Sequence, residues 1–176
     1  MSTDPPRILL EGRPSAGKTT AVARIAEILR AQGATVSGIL THEVREGSTR
    51  VGFALETLDG RRGALARVGV RGDLRVGRYG VVLDDLERLA IPALQADADV
   101  VVVDELGRME LASAPFRAAV TALLERPVAV VATVHARPDP FTDALKRRPS
   151  VRTLRLTPST RASLPEVVAR ELVARA

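Results

Sequence analysis

Residues 12–19 read Gly-Arg-Pro-Ser-Ala-Gly-Lys-Thr. The pattern is G-x-x-x-x-G-K-[ST], a loop whose backbone N–H groups can enclose a polyphosphate. Lys18 would place a full charge on the β- and γ-phosphates, and the Thr19 hydroxyl would be a magnesium ligand. The context supports that chemistry. Arg7 to Glu11 reads as a short buried strand, and Thr19 to Arg30 carries Val22, Ile25, Ile28 and Leu29 at helical spacing. A strand that turns through glycines into a helix aims several N–H groups and the positive helix end at one point. The candidate nucleotide-binding residues here are Gly12, Arg13, Pro14, Ser15, Ala16, Gly17, Lys18, Thr19 and Thr20. The chain has 24 arginines and two lysines, Lys18 and Lys146. A compact ammonium has been kept where it must fit among phosphates.

A second acidic point complements the first. Asp99-Val100-Val101-Val102-Val103-Asp104-Glu105 is an apolar strand ending in two acids. In an open parallel sheet, ligands sit beyond the carboxyl ends of the strands. Asp104 is therefore the expected magnesium carboxylate, with Thr19, and Glu105 the candidate to polarise an attacking water. Thr133-Val134-His135 closes the next apolar strand, so either Thr133 or His135 is a candidate sensor of the γ-phosphate. Arg108 is a candidate catalytic arginine supplied in cis. Capping of a loop, or a surface histidine, is the competing reading for each of these residues taken singly.

These groups must be positioned by the elements around them. Gln32-Gly33 reads as a helix stop with Gly33 left-handed. Extended segments at 36–44, 49–58 and 63–68 predict an antiparallel meander of two or three strands, and 69–80 reads as an irregular loop. A helix is expected over 84–94 with Pro92 disturbing its end. A second should begin at Ser113 or Ala114 and reach about Glu125. Residues 127–134 form an apolar strand, 142–146 a short helix and 151–156 a last strand. Thr157-Pro158-Ser159 then leads into a final helix ending near Ala174. Apolar strands separated by helices predict an α/β fold, a doubly wound, mainly parallel sheet with an inserted antiparallel meander.

The chain of 176 residues fits one domain able to bury roughly 70% of its unfolded surface. It has no cysteine, which excludes disulfides and thiolate metal sites. No apolar run of about 18 residues is present, so no membrane span is expected. Met1 to Pro6 is short and polar without a signal segment, which makes a cytoplasmic protein the expectation. The net charge of +5 leaves a nucleic-acid face open but disfavoured. The arginines are interspersed with acids, and Phe53, Tyr79, Phe116 and Phe141 are too few for a base-stacking platform. A monomer is expected.

Beyond the phosphate loop, several segments resemble the THEP-type nucleoside-triphosphatase family. They are Gly38-Ile39-Leu40-Thr41-His42-Glu43-Val44-Arg45, Arg50-Val51-Gly52-Phe53, Gly77-Arg78-Tyr79-Gly80-Val81, and above all Val103-Asp104-Glu105-Leu106-Gly107-Arg108-Met109-Glu110-Leu111. They lie in the family's order over roughly residues 7–136. The resemblance implies a RecA-like P-loop domain that hydrolyses nucleoside triphosphates to diphosphate and phosphate, with magnesium and with tolerance of the base. It puts Gly107, Met109 and Glu110 in the same signature as Asp104 and Glu105. Glu110 either orients the site or caps the following helix. The family usually carries glycine where Ser15 stands, so a positive φ there would strain the loop.

Two other classes compete. A small nucleoside or nucleotide kinase would share the loop, and Lys146-Arg147-Arg148 with Arg152 can be read as a basic lid. A nucleotide-dependent regulatory or nucleic-acid-binding protein would use 69–80 against a partner.

Overall fold

The computed structural model describes residues 4–72 and 74–173. Nine strands form one sheet, in the order β5-β6-β4-β3-β2-β7-β8-β1-β9. The strands are β1 Arg7–Gly12, β2 Val36–Glu46, β3 Thr49–Thr57, β4 Arg62–Val68, β5 Arg75–Val76, β6 Tyr79–Val81, β7 Val100–Leu106, β8 Ala129–His135 and β9 Val151–Arg155. The helices are α1 Lys18–Ala31, α2 Leu83–Gln95, α3 Ala114–Leu123, α4 Pro140–Lys146 and α5 Leu164–Val173.

Strands β2, β7, β8, β1 and β9 are parallel neighbours. Their side chains alternate between two cores because successive residues of a strand point to opposite faces. Leu9, Val101, Val103, Val130 and Ala132 face α2, α3 and α4, which contribute Leu86, Phe116 and Leu145. Ile8, Leu10, Val100, Val102 and Val131 face α1 and α5, which contribute Ile25, Leu29, Val168 and Leu172. Both faces of the central strands β1, β7 and β8 are covered, which is why those strands are largely apolar, whereas the edge strand β9 is largely exposed.

The meander is an extension of the same sheet. Strand β2 has two partners in succession. Val36–Ile39 pairs in parallel with Val100–Val103, and Ile39–Glu46 pairs antiparallel with β3. The outer half of β2 therefore runs past the carboxyl edge of the parallel half as a hairpin with β3. Strands β4, β6 and β5 continue the antiparallel run.

Three expectations are corrected here. Within residues 69–80, β5 and β6 form a small hairpin on the edge of β4. Its strands are two and three residues long, too short to show an alternating pattern in the sequence. Pro92 lies inside α2, which continues to Gln95. The buried Leu89, Ala90, Ala93 and Leu94 on the same helix hold it together against the lost hydrogen bond. The last helix starts at Leu164, after turns in which Thr160 accepts from Leu164 N at 2.9 Å. Its expected end at Ala174 lies outside the described residues.

Other local expectations stand. Gly33 has φ 89°. Ser113 caps α3 by accepting from Phe116 N at 3.0 Å. Asp139 caps α4, starting that helix slightly earlier than expected, by accepting from Phe141 N and Thr142 N.

Candidate functional site

The loop between β1 and α1 ends at Gly17, which precedes the helix with φ 93° and no side-chain cap. The N–H groups of the first turn are therefore left for an anion. Lys18 is buried, with 7% exposure. Its Nζ donates to the carbonyls of Gly12 at 3.2 Å and Arg13 at 3.3 Å and lies 3.5 Å from Glu105 Oε2. The ammonium is thus held by three weak contacts at the mouth of the loop, within reach of a β–γ phosphate position.

The acids sit opposite because of a bulge in β7. Val103 pairs with Ala132, yet Leu106 pairs with Val134. One extra residue of β7 is accommodated at Asp104-Glu105, whose connecting peptide is cis. A bulge at a strand end re-aims side chains. Asp104 turns inward, with 1% exposure, and Glu105 faces the cleft.

Asp104 collects hydroxyl groups from three elements, the first turn of α1, the middle of β2 and β8. Its Oδ2 accepts from Thr19 Oγ1 at 2.7 Å and from Thr41 N and Oγ1 at 3.3 Å each. Its Oδ1 accepts from Thr133 Oγ1 at 2.6 Å. Three hydroxyls and four donations explain how a carboxylate tolerates near-complete burial. Among the described residues, no cluster of three or more His, Asp or Glu forms a metal cage. Magnesium does not require one, since it is commonly bound through one or two carboxylates together with phosphate oxygens. The hard oxygen set of Thr19 and Asp104 fits that cation.

Glu105 is also 3.6 Å from His135 Nε2, so Lys18, Glu105 and His135 meet over the same space. Glu110 is buried in a short 3-10 turn, Glu110–Ala112. Burial foremost, then the neighbouring Glu105 and Asp104, push its carboxyl up to about 8. It does not cap α3, which Ser113 does. A Cβ on Gly107 would come within 2.8 Å of Glu105 Oε1 and 2.9 Å of Glu110 Oε2. A side chain there would have to displace two carboxyl groups.

An open cleft of about 910 Å³ joins these groups. Pro14, Ser15, Gly17, Lys18, Thr19, Thr20, Glu105, Gly107, Arg108, Glu110 and His135 all line it. Gly12 lies beneath, its carbonyl on Lys18. Ala16 N bonds Arg13 O and shapes the turn, while the Arg13 side chain is exposed. Arg108 is exposed on the rim. Thr133 serves Asp104 and does not line the cleft. None of the residues read as a basic lid, Lys146, Arg147, Arg148 and Arg152, lines the cleft. Lys146 is drawn to Glu11 at 2.6 Å, Arg148 to Glu125 at 2.6 Å and Arg152 to Glu171 at 2.7 Å.

Sequence reasoning gave Thr41 no role, because nothing local marks a threonine on an alternating strand as a partner of Asp104. It also left unassigned the wall formed by His42, Glu43, Arg50 and Phe53. Here Arg50 donates to Glu43 Oε1 at 2.6 Å and to Tyr79 Oη at 3.1 Å. Its guanidinium lies 5.1 Å from the Phe53 ring centre. Hydrogen bonds from Arg50 and then Arg45 hold the Glu43 carboxyl below the usual carboxylate range.

A phosphate loop facing an acidic strand end, with β8 between their two strands, defines a nucleotide-binding P-loop protein. The family model described as NTPase matches residues 7–169. The chain is 39% identical over 161 residues to the nucleoside-triphosphatase THEP1 of Thermotoga maritima, covering 90% of each chain. It is 37% identical over 179 residues to the cancer-related nucleoside-triphosphatase homolog of Mus musculus, covering 92% of this chain and 94% of that one. The solution structure of a human cancer-related nucleoside triphosphatase superposes with TM-score 0.84 at 35% identity, over 97% of this chain and 100% of that one. The crystal structure of THEP1 from Aquifex aeolicus gives 0.82 at 33% identity, over 92% and 96%. This chain belongs to the NTPase family.

Proposed function

We propose that this protein hydrolyses nucleoside triphosphates to the diphosphate and phosphate, with magnesium and with little preference for the base. The observation that carries the reading is the meeting of Lys18, Thr19 and Glu105 in one cleft, with Asp104 buried directly behind and accepting from Thr19, since these groups come from two segments far apart in sequence. The relatives named nucleoside-triphosphatases support it.

The chain's own residues divide the work. The uncapped first turn of α1 and Lys18 hold the phosphates and spread charge over the leaving diphosphate. Thr19 and Asp104 would hold magnesium, which when bound neutralises charge between the β- and γ-phosphates. Thr41 donates to the same Asp104 oxygen as Thr19, and Thr133 fixes the other. Glu105 accepts the proton of the attacking water, and His135 and Glu110 bound the space in which Glu105 can move. Arg108 supplies positive charge at the rim. No described helix is long and apolar enough to cross a membrane.

The test is phosphate release from ATP, GTP, CTP and UTP, with magnesium and with a chelator. Activity with all four within about tenfold, lost on chelation, is expected; a difference of one base from another beyond 1.4 kcal/mol would exceed that range. A strict preference for one nucleotide overturns the broad-specificity reading. Phosphate release that survives Lys18→Ala overturns the assignment of the site.

A further inference from the structure

The cleft, at about 910 Å³, is near the top of the range of roughly 300–1,000 Å³ for small-molecule pockets, and it extends beyond the groups that hold phosphate. One arm lies beside Arg137, Pro138, Asp139 and Thr142 after β8, and the other reaches the overhanging hairpin. Going across the sheet from β1, one meets β8, then β7 with Glu105, then β2 and β3. Lys18 and Glu105 fix the γ-phosphate end of a bound triphosphate, so its nucleoside end must run away from Glu105. The outer cleft continues past Glu105 in the opposite sense, to Thr41, His42, Arg50 and Phe53 on the overhanging hairpin. No residue of the β9–α5 connection, 156–163, lines it.

The lining is specific in kind. Phe53, Leu65, Met109 and Leu111 give it an apolar floor. Arg50 presents a flat guanidinium packed against Phe53 at 5.1 Å and Tyr79 at 5.9 Å, and the two rings meet edge-on at 5.3 Å. The charge of Arg50 is already answered by Glu43. A flat, charge-neutralised plate beside an aromatic ring suits an uncharged planar ring. His42 and Glu43 beside it offer hydrogen bonds to polar substituents.

We propose that this outer cleft binds a second small molecule, an uncharged heteroaromatic alcohol of nucleoside size, whose hydroxyl takes the γ-phosphoryl group in competition with water. The inference rests on the triphosphatase reading of the inner site. In the transfer, the acceptor oxygen forms a bond to the γ-phosphorus and the bond from that phosphorus to the β–γ bridging oxygen breaks. The electron pair leaves with the nucleoside diphosphate, and the hydroxyl proton passes to Glu105. The products are a nucleoside diphosphate and a phosphate monoester.

The experiment incubates the whole chain with magnesium, γ-labelled ATP and, in turn, adenosine, guanosine, cytidine and uridine. Calorimetry of the same nucleosides is run on protein holding a non-hydrolysable ATP analogue. Labelled nucleoside monophosphate and saturable binding with at least one nucleoside are expected. Phe53→Leu keeps an apolar side chain and removes the ring. It should weaken nucleoside binding about tenfold, the loss that removing one base-stacking ring brings, while phosphate release to water stays within about twofold. Lys18-dependent phosphate release with no nucleoside binding overturns this inference alone. Binding with label only in free phosphate overturns the transfer. Nucleoside binding unchanged in Phe53→Leu overturns the placement. Phosphate release that persists in Lys18→Ala overturns both this inference and the reading beneath it.

Discussion

In the parallel half of the sheet, β7 and β8 are buried along nearly their whole length, and polar side chains enter only at the ends. In the antiparallel extension, burial is intermittent along β3 and fades along the outer part of β2. The extension carries exposed pairs such as Arg45–Glu43, Arg62–Glu56 and Arg61–Asp59, a class of contact worth about 0–1 kcal/mol each. The parallel half fixes Asp104 with donors from β2, β8 and α1 inside a packed interior. The extension contributes a wall whose residues touch the cleft but not the buried acid, Thr41 at the junction excepted. A rigid edge for charge and a more adaptable wall for shape are separable properties. Substitutions in the two regions should therefore separate activity from stability.

The largest separation is expected at Glu105. Glu105→Gln keeps the shape and removes the proton acceptor, so turnover should fall by about 10²–10⁴. Nucleotide affinity should stay within a few-fold, and the melting temperature should hardly move. Single-turnover phosphate release beside nucleotide titration checks this. Unchanged turnover would place the base elsewhere. The counterpart in the extension is Leu55 of β3, fully buried against the core. Leu55→Ala should cost about 2–5 kcal/mol, or roughly 4–20 °C in melting temperature. Turnover per folded molecule should stay within about threefold. A loss of turnover as large as that of Glu105→Gln would mean that the two halves are not separable.

Glu110 sharpens the comparison, because it is the buried acid that no hydroxyl cluster serves. Its folded value of about 8 lies above the ordinary 4.5, so the folded state holds a proton that the unfolded state has lost. The sign follows. Its contribution to stability is fully present below about pH 4.5 and is lost as pH rises toward 8. The slope is at most about 1.4 kcal/mol per pH unit. Urea unfolding in a chelating buffer from pH 5 to 8 should show the wild type losing stability with pH relative to Glu110→Gln. Parallel curves for the two proteins would show that Glu110 carries no such proton.

The two regions also differ in how far the sequence reveals them. Lys18 and Asp104 were legible because each stands at the end of a locally patterned strand, and burial on both faces makes that pattern a run of valines. Thr133 was legible as a strand-end residue, although its partner proved to be Asp104. Thr41 was not, because its role depends on β2 leaving β7 for β3 midway, a matter of partner and not of composition. The hairpin of β5 and β6 was lost in a glycine- and arginine-rich stretch for another reason, since strands of two and three residues are too short to carry a pattern. Lys146 looked like part of a lid because charge clusters do not show what faces them. The structure puts Glu11, at the end of β1, against it.

The smallest effect belongs to Ser15, where the loop departs from the glycine its family resemblance leads one to expect. Its φ is 61°, a left-handed conformation that costs a side-chain-bearing residue roughly 1–2 kcal/mol. The side chain is exposed, so its removal should break no buried contact. Ser15→Gly relieves the strain but frees the unfolded chain, which costs about 0.4–1 kcal/mol in return. The net expectation is a gain of about 0.5–1 kcal/mol, seen as a rise of roughly 1–4 °C in melting temperature. Leu55 and Ser15 then bracket the comparison, one a core position in the wall and the other a strained position in the rigid edge. A fall in melting temperature on Ser15→Gly would show that the serine, and not its backbone strain, sets the shape of the phosphate loop.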